Sequence, residues 1–253
     1  DRKPVYQNSF YGVLNSQKVF KGQVKALKDN EMMLRKKDFE DNIKSKVQSS
    51  PNLSEKYNNI WSEIEKGSSD FSGIIKDLMG YDIQNRFQSR YAFLAKTIVR
   101  NTLSGKETKD SLINAIYDNF DKEYNEGVLE LDMITIYDNL GKENAIVKSA
   151  FNNNDISGAV KYVLSNTVLR DKDGALKLAK MTAEELKTSP DPLVKFVVES
   201  KTILDELQAK RKVIEARIDI NAQLLGQALF EIYGTSIPPD ATLTLRISDG
   251  VIK

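Results

Sequence analysis

The run Leu14-Asn15-Ser16-Gln17-Lys18-Val19-Phe20-Lys21-Gly22 sits inside a helical pattern that no proline or turn cluster interrupts between Val5 and about Ser49. Val13, Phe20, Leu27 and Leu34 recur every seven residues with Phe10 and Val24 beside them, the spacing of one apolar stripe on an α-helix. Lys21, Lys25, Lys28, Asp29, Arg35, Lys36 and Lys37 occupy the other face. At about 1.5 Å per residue such a helix would reach roughly 65 Å, and its stripe is expected to pack within the chain. Asn15 is out of place in this pattern, because its amide competes for backbone hydrogen bonds in a helix interior. It is either a solvated surface amide or a group that faces a ligand.

Beyond this arm the punctuation becomes dense. Ser49-Ser50-Pro51-Asn52 breaks the pattern, and Ser54 is expected to cap a short helix carrying Tyr57, Ile60, Trp61 and Ile64 up to Gly67. Ser68-Ser69-Asp70 opens the next through Ile75 and Leu78 to Gly80, and residues 82–103 place Phe87, Tyr91, Leu94, Ile98 and Leu103 at helical spacing. A helix from Thr108 is expected to end at Gly127, and another from Val128 to Leu140 to stop at Gly141. Short helices follow through Ala145–Phe151, Ile156–Leu164 and Ala175–Leu186. The tetrad Asp171-Lys172-Asp173-Gly174 lacks the twelve-residue spacing and terminal Glu of a calcium loop and reads as a turn.

Ser189-Pro190-Asp191-Pro192 sets the start of a second long helix, about Leu193 to Tyr233, with Val197, Leu204, Ile218, Leu225 and Ile232 in a seven-residue row and Leu207 and Ile214 in its companion. The fold expected is mainly all-α: an elongated bundle in which the two long amphipathic helices run antiparallel and bracket several short ones. Residues 1–236 form this helical unit. Residues 237–253 change character, since Ala241 to Ser248 alternates at a strand period and Asp249-Gly250 is a hairpin turn signal. A hairpin at the end of an all-helical domain needs a sheet supplied by other sequence.

Composition narrows the chemistry. The chain has 37 basic and 36 acidic residues, so bulk charge selects neither nucleic acid nor an anionic membrane. It contains neither histidine nor cysteine, which removes a Ser-His-Asp or Cys-His site and the usual nitrogen and sulfur ligands of zinc. No apolar run reaches membrane-spanning length, and Asp1-Arg2-Lys3-Pro4 reads as a start inside a longer protein. No catalytic residue, metal ligand or cofactor is expected.

Pro239-Asp240-Ala241-Thr242-Leu243-Thr244-Leu245-Arg246 followed by Gly250, the opening Tyr11 and Asn15-Ser16-Gln17-Lys18 with Gly22, and Ser189-Pro190-Asp191-Pro192-Leu193 come in an order that resembles the bacterial serine dipeptidyl peptidases of the dipeptidyl-peptidase 7 and 11 type. The resemblance implies that residues 1–236 are a helical cap domain inserted in a chymotrypsin-like double β-barrel, and that residues 237–253 return to that barrel. It implies a catalytic triad outside this chain, an inactive fragment, and a parent that releases dipeptides from free peptide N-termini. By motif position Asn15 is the substrate-binding residue, holding the peptide's amino terminus. Ser16 and Gln17 depart from the pattern, being small and polar where aromatic residues are expected.

The partners so implied are a peptide with a free N-terminus and the parent's β-barrel domain, with a homodimeric parent among the expectations and a periplasmic, secreted or cell-surface location. The alternative is a non-enzymatic helical interaction domain whose apolar rows meet a partner helix, which leaves the terminal hairpin unexplained.

Overall fold

A computed structural model describes residues 3–28, 30–84, 87–118 and 120–236, and every regular element among them is helical. In chain order these are α1 (Lys3–Lys28), α2 (Asn30–Ser49), α3 (Pro51–Tyr57), α4 (Ile60–Tyr81), α5 (Arg90–Leu103), α6 (Asp110–Tyr117), α7 (Lys122–Leu140), α8 (Ala145–Ala150), α9 (Ile156–Asn166), α10 (Lys172–Leu178), α11 (Ala183–Lys187) and α12 (Pro192–Tyr233), with a 3-10 turn at Val168–Arg170. The β-hairpin expected within 237–253 lies outside the described residues.

The chain divides into two compact units, residues 1–64 with 219–253 and residues 65–218. In the first, Ile43 and Val47 of α2 and Tyr57 of α3 are buried with Ile60 and Ala228, and Trp61, Leu224, Leu225, Leu229 and Ile232 pack around them. The Tyr57 hydroxyl donates to Glu231 at 2.7 Å, and Phe39 stacks on Tyr233 at 6.2 Å between ring centres. Trp61 is thus a packing residue, with the Lys44 ammonium 5.6 Å from its ring centre.

In the second unit, short amphipathic helices share one core. Tyr91, Leu94 and Ile98 of α5 join Leu129, Met133 and Ile136 of α7, Val163 of α9, Leu178 of α10, and Phe196 of α12, whose ring stacks on Phe151 at 5.4 Å. Helices this short are marginal alone, and their ends need partners. Ser89 Oγ accepts from Ala92 N at the start of α5, while α7 supplies Asp132 to Ser89 N (3.0 Å) and Asn125 to Arg90 N (2.9 Å). Asp171 caps α10 by accepting from Gly174 N at 2.8 Å, so the Asp171–Gly174 tetrad, expected as a turn, is the N-cap and first residues of a helix. Asp191 begins α12 as expected, accepting from Leu193 N, Val194 N, Val168 N and Thr167 Oγ1.

Three expectations are corrected. First, α4 runs unbroken through Gly67-Ser68-Ser69, and α7 through Gly127. A Cβ on Gly67 would stand 2.6 Å from Ile218 Cγ1, so this glycine lets two helices approach closely and does not end one. Second, α3 begins at Pro51 with Ser50 before it, as proline's fixed φ favours at a first helical position, and not at Ser54. Third, the first long stretch is not the sole neighbour of α12. In the first unit α2 packs on α12, through Phe39 on Tyr233 and Ile43 and Val47 with Ala228. In the second unit the helix that runs opposite to α12 is α4, where Gly67 meets Ile218, Asp70 pairs with Arg217 at 2.7 Å, and Leu78 packs with Leu204 and Leu207. The α12 rows read from the sequence do turn inward, with Val197, Leu204, Leu207 and Ile214 buried.

Candidate substrate-binding face

On α1, 100° of turn per residue brings Tyr11, Asn15, Lys18 and Gly22 to one side of the helix. All four are exposed. A Cβ placed on Gly22 would meet nothing within 4 Å, and the Tyr11 ring stands edge-on to Phe10 at 5.8 Å. The Ser16 hydroxyl donates to Gly12 O at 2.9 Å, a local bond within the helix. Asn15 therefore stands at the surface, flanked one turn away by an aromatic ring and by a lysine.

The opposite side of α1 overturns a second group of expectations. Phe10, Val13, Phe20, Val24 and Leu27, with Leu34 of α2, were expected to pack within the chain, yet Phe20 and Leu27 are each 62% exposed and the others are exposed as well. An exposed apolar row of this kind is the sort of surface at which interaction sites are found. Periodicity identified the stripe correctly, but it carries no information on whether the covering surface belongs to the same chain.

Elsewhere the ionisable groups have structural duties. Asp82, at the end of α4, pairs with Lys96 at 3.1 Å and with Arg100 of α5, and accepts from Gln84 at 2.8 Å. Burial works to raise its carboxyl, but the bonds from Gln84 and Arg100 and the charges of Lys96 and Arg100 outweigh burial and hold it below the usual range. Burial pushes the Tyr91 phenol up to about 12, and its hydroxyl has no hydrogen-bond partner among the described residues. Burial likewise raises Asp191, against the four donors around it.

Nothing in the sequence pattern signalled the Asp82 cluster, since only the turn after α4 brings Asp82 to α5. Among the described residues no group of three or more carboxylates is placed to hold a metal ion. No helix among them is long and apolar enough to cross a membrane.

Compared with known proteins, residues 1–253 match the family model for Peptidase S46. No curated protein matches the chain.

Proposed function

Because the chain belongs to the Peptidase S46 family, that of the dipeptidyl-peptidase 7 and 11 type, we propose that it is the helical domain capping the cleft of a serine peptidase that releases dipeptides from free peptide N-termini. The supporting observation is α1, whose two opposed faces are both exposed. On this reading the Phe10–Leu27 stripe is covered by the parent's β-barrel domain, and the Tyr11–Asn15–Lys18 face lines the cleft. The interaction-domain reading also requires an exposed stripe; family membership favours a peptidase parent and so a covering surface within it.

With no histidine or cysteine in 253 residues, the proton transfers of acyl chemistry fall to groups of the parent outside this chain. The task left to α1 is to read the end of the substrate. The Asn15 amide oxygen accepts from the peptide's ammonium group, and a fixed distance from that oxygen to the nucleophile counts off two residues. The parent acts on peptides in the periplasm or outside the cell.

In the full-length peptidase, Asn15→Ala is expected to lower kcat/KM on free-N-terminal dipeptidyl substrates by about 10- to 150-fold, the equivalent of one hydrogen bond to a charged group, about 1.5 to 3 kcal/mol. Unchanged kinetics in that variant would remove Asn15 from the site.

A further inference from the structure

Resting on that reading, we propose that Lys18 favours substrates whose first residue carries a side-chain carboxylate. The starting observation is the charge of α1. In a chain with 37 basic and 36 acidic residues, α1 contains Lys3, Lys18, Lys21, Lys25 and Lys28 and no Asp or Glu. The last four are spaced three, four and three apart, a single exposed row along the helix.

The neighbouring helix is arranged differently. In α2, Arg35 pairs with Glu31, Lys37 with Asp41 at 2.6 Å and Lys44 with Glu40 at 2.5 Å. Lys18, Lys21, Lys25 and Lys28 of α1 have no ion-pair partner among the described residues. Like charges at this spacing repel one another and weaken a helix, so the row gains from a counter-charge brought from outside.

The register says where that counter-charge would come from at the site. Lys18 is three residues from Asn15 on the same face, which puts their Cβ atoms about 5–6 Å apart. An amide oxygen that accepts from an ammonium group, with a second ammonium one turn away, is poorly matched to a substrate offering only a positive end. It is well matched to an N-terminal Asp or Glu, whose α-ammonium meets Asn15 and whose carboxylate meets Lys18. Lys28, ten residues further along α1, is out of reach of the same side chain.

The test compares kcat/KM of the full-length peptidase on fluorogenic dipeptides with a free N-terminus, Asp against the isosteric Asn at the first position, over a panel of second residues. Lys18→Gln is expected to reduce the Asp-over-Asn preference by about 3- to 10-fold, in the range of an ion pair between exposed and partly desolvated. Lys28→Gln is expected to leave it unchanged. A preference unaltered in Lys18→Gln, or an equal loss on both substrates, would overturn the assignment of Lys18 while leaving the dipeptidyl-peptidase reading in place. Failure of the unsubstituted enzyme to cleave any of the dipeptides would instead overturn that reading, and this inference with it.

Discussion

At the scale of single residues, the polar groups that are most buried have duties in holding the fold. Asp82 and Lys96 are both largely withdrawn from water and depend on each other for charge compensation. Breaking such a pair strands a charge, so Asp82→Asn is expected to cost about 3 kcal/mol or more in a denaturant titration at neutral pH. The pH dependence has a definite sign. A carboxyl whose pKa is depressed on folding contributes stability above its unfolded value, near 3.9, and that contribution is lost as pH falls through the lower folded value. The acid limb of a stability-against-pH curve should therefore steepen below about pH 4, and Asp82→Asn should flatten it. An unchanged limb would mean that other carboxylates govern acid unfolding.

For individual helices, glycine has two opposite meanings that a linear sequence does not separate. Gly141 and Gly234 have φ values of +78° and +57° and stop α7 and α12 as read from the pattern. Gly67 and Gly127 look the same in the sequence yet lie within helices. The difference is tertiary, since Gly67 faces Ile218 across a helix contact that periodicity within α4 cannot reveal. Gly67→Leu is expected to destabilise the chain by about 1 to 3 kcal/mol through overpacking. In the same helix Gly73, with open space around it, should gain up to about 1 kcal/mol on replacement by alanine. Paired chemical-denaturation curves decide the matter, and equal effects at both positions would refute the close-approach account of Gly67.

The inward rows of α12 and the proline-marked start at Pro192 were legible because each depends on residues close in sequence. The pairing of α12 with α4 was not, because nothing in a helical period says which of several apolar stripes it meets. Of the candidate site, Asn15 and its companions Tyr11 and Lys18 could be placed on one face from spacing alone. The fate of the stripe behind them could not, since exposure is a property of the assembled chain.

For the molecule as a whole, two features need each other. The chain has the family membership of a peptidase but no histidine or cysteine for the usual nucleophilic site, and it carries an exposed apolar helix that has no covering surface among the described residues. A cap that docks by one face of α1 and reads the substrate's amino terminus with the other accounts for both. The decisive measurement is hydrolysis of dipeptidyl fluorogenic substrates by this 253-residue chain beside the full-length peptidase at equal concentration. Release is expected from the full-length protein only. Release by the 253-residue chain alone, or by neither protein, would contradict the account.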